Sequence, residues 1–190
     1  MPNDSNRSRS PPRASPSSVS NAEGPAAPDT PAGDGLTAAT AATMQALGAC
    51  LGRSLRPGDV VALNGPLGTG KTTFAQGIAV GLEVPPARHV ASPTFALVNE
   101  HPGRIPFVHA DLYRLEGPAE LAELGLEEAY DGAATAIEWA ERFPAILPAD
   151  HLEIIFSLKN DGARQLVLKA GGPRGEILAA ALRAGVRSSE

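Results

Sequence analysis

From Thr37 onward the apolar positions fall into periodic runs, and the period of each run predicts an element. Met44, Leu47, Leu51 and Leu55 recur at three- and four-residue intervals, the spacing of a helix with one buried face. Arg56-Pro57-Gly58-Asp59 ends that helix with turn-forming residues. Val60-Val61-Ala62-Leu63 is short and continuously apolar, as expected of a strand buried on both faces. After a glycine-rich stretch, Phe74, Ile78 and Leu82 mark the inner face of a second helix. Alternation over residues 95–98 and 105–108, around Pro102-Gly103, predicts two paired strands. Residues 118–128 predict a short acidic helix, and residues 134–137 another buried strand. Leu152, Ile154, Phe156 and Leu158 alternate strictly, Asn160-Asp161-Gly162 turns the chain, and Leu166 and Leu168 return as a hairpin. Residues 176–183 close the chain as a helix. Strands interleaved with helices predict an α/β fold. Its mixed central sheet is flanked by helices, runs parallel near the glycine-rich loop and ends in a C-terminal antiparallel hairpin.

Residues 1–36 stand apart. They hold seven prolines and seven serines, with Val19 and Leu36 as their large aliphatic residues. Too little apolar surface is available there to offset the entropy of ordering, so composition predicts a disordered tail at 1–36 and one domain over 37–190. Arg7, Arg9 and Arg13 among serines hint at a transit peptide, but Asp4, Glu23, Asp29 and Asp34 and the prolines oppose it. The formal charge of −5 argues against a broadly basic nucleic-acid-binding surface, so any RNA contact is expected through a partner. One cysteine forms no internal disulfide, and Cys50 lies in an alanine- and leucine-rich stretch as a small hydrophobe. With no apolar run of membrane-spanning length and no hydrophobic leader, the expected location is the cytoplasm, away from the membrane.

The chemistry is concentrated in Gly65-Pro66-Leu67-Gly68-Thr69-Gly70-Lys71-Thr72, which fits G-x-x-x-x-G-K-[ST] between an apolar strand and an amphipathic helix. Gly65 permits a sharp exit from the strand, and Gly68 and Gly70 let bare backbone approach a polyphosphate. Amides from Gly68 through Thr72 converge on the anion at the positive end of the helix. The nucleotide-binding set is therefore Gly68, Thr69, Gly70, Lys71, Thr72 and Thr73. Lys71 supplies a point charge to the outer phosphates, and the Thr72 hydroxyl suits Mg²⁺, which prefers oxygen ligands. The expected ligands are ATP and Mg²⁺.

A nucleotide hydrolase also needs an acid on a neighbouring strand. Asp111, after residues 105–110, and Glu138, after residues 134–137, both end apolar runs. Parallel strands bring such acids to the edge of the sheet where the loop lies. The residues alone leave open which of them orients the attacking water. His109 shares a strand face with Asp111 and reads as a hydrogen-bonding partner or a proton shuttle; Trp139 reads as a packing residue.

Taken in order, G-P-L-G-T-G-K-T-T-F (65–74), S-P-T-F (92–95), H-A-D-L-Y-R-L (109–115) and I-E-W (137–139) resemble the TsaE (YjeE) family. That family is the bacterial ATPase subunit of tRNA threonylcarbamoyladenosine biosynthesis, and the resemblance covers residues 43–170. It implies that Lys71 and Thr72 serve ATP and Mg²⁺, that Glu138 is the second metal-side acid, and that Asp111 is needed for hydrolysis. It further implies that residues 92–95 move with nucleotide state. TsaB and TsaD are the implied partners, with tRNA engaged only through them. Pro66 departs from the acid usual at the second loop position, which removes whatever contact that acid makes.

Other P-loop classes fit less well. A small-molecule kinase needs an arginine-rich lid, whereas Arg88, Arg104, Arg114, Arg142 and Arg164 are scattered. A GTPase reads guanine through N-K-x-D, and Lys159-Asn160-Asp161 has those letters in another order within a turn. A slow or non-catalytic nucleotide-dependent assembly factor is the alternative nearest to the ATPase reading.

Overall fold

The computed structural model describes residues 35–93 and 96–187. Nearly all of the expected tail, and Thr94 and Phe95 of the expected moving loop, lie outside the described residues.

Strand β1 (Leu36–Ala38) leads into helix α1 (Ala41–Ser54). Thr40 caps α1, its hydroxyl accepting from the Thr43 N–H at 3.1 Å, and the apolar stripe buries Met44, Leu47 and Leu51. The predicted turn closes when the Asp59 carboxylate accepts the Arg56 N–H at 2.7 Å. Strand β2 (Val60–Asn64) is buried along its whole length, and helix α2 (Lys71–Gly81) follows the glycine-rich loop. Strands β3 (Val98–His101) and β4 (Phe107–Asp111) pair antiparallel, as the alternation predicts, but both lie further along the chain than expected. Leu97 has φ +63°, outside the extended region, and Pro106 has no N–H for a ladder, so pairing starts after each.

The acidic helix expected over 118–128 is two short helices, α3 (Pro118–Ala122) and α4 (Leu126–Tyr130). Gly125, at φ +61°, separates them. Strand β5 (Ala134–Glu138) and the hairpin β6 (Leu152–Leu158) and β7 (Arg164–Ala170) match expectation. Helix α5 (Pro173–Arg187) starts earlier than its apolar pattern, because the Asp150 carboxylate accepts the N–H groups of Arg174 and Gly175 at 3.0 and 2.9 Å. Leu36, grouped by composition with the tail, is instead the first residue of β1 and pairs with Leu166 of β7.

Among the described residues, seven strands form one sheet in the order β1-β7-β6-β2-β5-β4-β3. The four strands β6, β2, β5 and β4 run parallel, and the remaining pairings are antiparallel. Alternation within each central strand supplies both faces of the sheet. Val61 and Leu63 join Phe156, Ile154 and Phe107 beneath α1, α2 and α5, where Met44, Leu51, Phe74, Ile78 and Leu182 pack. Val60 and Ala62 join Val108, Ala110 and Ile137 on the opposite face, covered by Leu112, Leu115, Leu126 and Ile146.

Helices α1 and α2 meet backbone to backbone. A Cβ placed on Gly48 would lie 2.2 Å from the Phe74 carbonyl oxygen, and one on Gly77 would lie 2.2 Å from that of Gln45. One on Gly52 would lie 2.3 Å from the Ile78 oxygen, and one on Gly81 would lie 2.3 Å from that of Ala49. Two glycines four residues apart on each helix therefore let the pair approach closer than side chains would permit. That contact seats α2, whose first turn carries the loop lysine.

Candidate nucleotide-binding site

The loop leaves the C-terminal end of β2, where the parallel neighbours β5 and β4 also end. The register sets Leu63 beside Glu138, and Glu138 beside Asp111, so both candidate acids reach the same edge as the loop. Gly65 has φ +125°, and any Cβ there would sit 2.2 Å from the Phe156 carbonyl oxygen of β6. Only glycine makes that exit. Gly70, at φ +99°, starts α2, so the helix's first N–H groups face out of the loop.

A cleft of about 470 Å³ opens over this edge. Gly68, Gly70, Lys71, Thr72 and Thr73 line one side, and Asp111, Glu138, Trp139, Ser92, Tyr113 and Arg114 line others. Thr69, the remaining member of the expected set, is fully buried; its hydroxyl donates to the Pro66 carbonyl at 2.8 Å and ties the loop to itself.

Lys71 is only 4% exposed. Its ammonium donates to the carbonyls of Gly65 and Pro66 at 2.5 and 3.0 Å and lies 3.8 Å from the centre of the Trp139 ring. Burial pushes its pKa below the ordinary lysine value, while the carboxylates of Glu138, Glu141 and Asp111 pull it back up. Beside it, the Thr72 hydroxyl donates to Glu138 Oε2 at 3.0 Å, and Glu138 Oε1 meets His109 Nε2 at 2.9 Å. Asp111 accepts from the Ser92 hydroxyl through Oδ2 and from the Tyr113 N–H through Oδ1 at 3.0 Å.

Three partners were not legible in the sequence, and all belong to the turn after β5. Trp139 takes a left-handed conformation, φ +62°, and a 3₁₀ turn follows at Ala140–Arg142. This reversal turns the Trp139 ring onto Lys71 as well as Tyr113, whose ring is 4.9 Å away. It also brings the Glu141 carboxylate to the Gly65 N–H at 3.1 Å. Arg142 then donates to the carbonyls of Leu112, Tyr113 and Leu115, which holds the segment after β4 at the cleft. A bulky residue at positive φ leaves no pattern in composition or periodicity. The letters E-W-A-E-R signal charge but not the direction in which the chain folds back.

The donors at this edge suit a nucleotide with a hard divalent cation. Thr72 and Glu138 offer oxygen only, the chemistry Mg²⁺ prefers when it shares its coordination with phosphates. Nothing lies within 4 Å of the position a Cβ would take on Gly68, so that backbone is open to an incoming group.

Fold and site together define a P-loop nucleotide-binding α/β protein. The family model described as "Threonylcarbamoyl adenosine biosynthesis protein TsaE" matches residues 38–166. The chain belongs to the TsaE family. It is 43% identical over 125 residues to the tRNA threonylcarbamoyladenosine biosynthesis protein TsaE of Nostoc sp., covering 63% of this chain and 75% of that protein. To the protein of the same name from Bacillus subtilis it is 41% identical over 125 residues, covering 65% and 77%. The crystal structure of Bacillus subtilis YdiB superposes with a TM-score of 0.68 at 29% identity, covering 82% of this chain and 95% of that one.

Proposed function

We propose that this protein is the ATP-hydrolysing subunit of the machinery that makes N6-threonylcarbamoyladenosine in tRNA. It acts in the cytoplasm with TsaB and TsaD, and meets tRNA through them. The observation that carries the reading is the Thr72–Glu138 contact of 3.0 Å beside the buried ammonium of Lys71. It joins an oxygen-only metal side and a phosphate cation at the mouth of one glycine loop. Family membership supplies the biological setting.

In this reading the amides of Gly68, Gly70, Lys71, Thr72 and Thr73 hold the phosphates, with the Thr69 amide contributing from within the loop. Lys71 exchanges the carbonyls of Gly65 and Pro66 for phosphate oxygens. Thr72 and Glu138 would hold Mg²⁺, which when bound neutralises charge on the phosphates. Asp111 orients the attacking water from the neighbouring strand, its carboxylate kept in line by Ser92 and the Tyr113 N–H. Positioning and charge complementarity supply the catalysis.

The test separates binding from chemistry. Asp111→Asn keeps the shape of the side chain and removes its charge; it is expected to bind ATP with Mg²⁺ as wild type does while losing most phosphate release. Glu138→Gln is expected to need more Mg²⁺ for nucleotide binding, since an amide is a poorer ligand for a hard cation or its waters. Both are followed by Mg²⁺ titration of nucleotide binding and by phosphate release, with and without TsaB and TsaD. Normal hydrolysis by Asp111→Asn, together with normal metal dependence but no turnover in Glu138→Gln, would show the two roles to be exchanged.

A further inference from the structure

We propose that His109 is a positioning residue. Its ring holds the Glu138 carboxylate in the rotamer that leaves Oε2 facing Thr72. The inference rests on the reading of Glu138 as the metal-side acid. His109 is fully buried in the middle of β4, and Glu138 is 3% exposed at the end of β5. The parallel register puts His109 opposite Ala136, so Glu138, two residues on, is its diagonal neighbour on the same face of the sheet. That placement brings Nε2 to 2.9 Å from Oε1, while Oε2 takes the Thr72 hydroxyl at 3.0 Å. The two oxygens are thus divided between a strand and a helix.

The rest of the ring is held without polar contacts. It stacks on Phe107, two residues earlier in the same strand, with centroids 6.0 Å apart and planes 10° apart. Nδ1 has no hydrogen-bond partner among the described residues. The tautomer that completes the network carries its proton on Nε2 and donates it to Glu138. A buried carboxylate oxygen deprived of that donor would be unsatisfied and would leave the rotamer that aims Oε2 at Thr72. Outer partners of this kind orient metal-side ligands, and their loss typically weakens metal affinity by about 10- to 100-fold.

Two substitutions separate the N–H from the ring. His109→Phe keeps the volume and the stack on Phe107 but removes the donor. His109→Gln gives up the ring and keeps an N–H near the place of Nε2. The measurements are the Mg²⁺ concentration that half-saturates ATP binding, ATP binding without Mg²⁺, and the Tm without ligand. His109→Phe is expected to raise the half-saturating Mg²⁺ by about 10-fold or more, with metal-free binding unchanged. His109→Gln is expected to stay near wild type. Wild-type Mg²⁺ dependence in His109→Phe, or equal impairment of the two variants, would overturn the proposal. Should His109→Phe not fold, His109→Asn replaces it, since its shorter amide stops near the place of Nδ1. It is then expected to be impaired where His109→Gln is not, and parity between them overturns the proposal. Glu138→Gln, measured alongside, tells the two failures apart. No effect there removes the reading of Glu138 itself, whereas an effect there without one in His109→Phe removes only the role of His109.

Discussion

Lys71 opens helix α2, and its ammonium turns back onto the carbonyls of the loop that precedes it. Its place in the loop motif marks it as a phosphate cation, and such a lysine is easily pictured as reaching into solvent. Instead it is buried, with two carbonyls and the Trp139 ring as its surroundings. Truncation to alanine would therefore remove packing as well as charge. Lys71→Met keeps most of the stem and is the cleaner probe. At a hundred times Kd, ATP with Mg²⁺ is expected to stabilise the wild-type fold by about 2.7 kcal/mol. In Lys71→Met most of that thermal shift should vanish, with the ligand-free Tm within a few degrees of wild type. An equal shift in both proteins would remove Lys71 from the site. Loop residues and strand-end acids were legible because their spacing is itself the signal. The contacts of Glu141 and Arg142 were not, because they depend on one left-handed residue, Trp139.

At the level of elements, the buried strands and the hairpin were legible from apolar runs and strict alternation, since burial on two faces or on one leaves different periods. The ends of β3 and β4 were not, because Leu97 and Pro106 act through backbone geometry rather than polarity. Edge strand β1 has three residues, too few to show a period. The seam between α1 and α2 was also missed: glycines inside a helix read as weak helix formers until the partner helix is seen. Gly77→Ala tests it. In an exposed helix this change would favour the folded state, because alanine is the better helix former. Here the new methyl meets the Gln45 carbonyl at 2.2 Å, so the helices must separate, and a loss of about 1–3 kcal/mol is expected. Thermal or urea unfolding of Gly77→Ala reads the sign directly. A stabilised variant would mean the seam tolerates the extra atom.

For the whole molecule, the question is where the domain begins. Composition divides the chain after residue 36, yet Leu36 already pairs with Leu166, and Ala38 is fully buried. We propose that the domain starts at β1 and that the preceding residues add little to its core. Deleting residues 1–34 should then leave the Tm nearly unchanged. Deleting residues 1–38 removes the apolar contacts of Leu36 and Ala38 and exposes the edge of β7. A loss of about 2 kcal/mol, or roughly 5 °C, is expected there. Equal melting of both truncations would show β1 to be dispensable, and a large drop in the first would show that the tail supports the domain. No helix among the described residues is long and apolar enough to cross a membrane.

The turn that follows β5 has a consequence for which changes the chain can absorb. Within five consecutive residues, Glu138 faces Thr72, Trp139 covers Lys71, Glu141 holds Gly65, and Arg142 grips the segment after β4. Each contact depends on its residue's distance along the chain from the others, so the stretch works as a ruler with four marks. A substitution erases one mark and leaves three in place. An added or missing residue shifts every later mark together: Glu141 would no longer lie over the loop, nor Arg142 over the opposite wall. Change in this family is therefore expected to be freer in the identity of these residues than in the number of residues that spaces them.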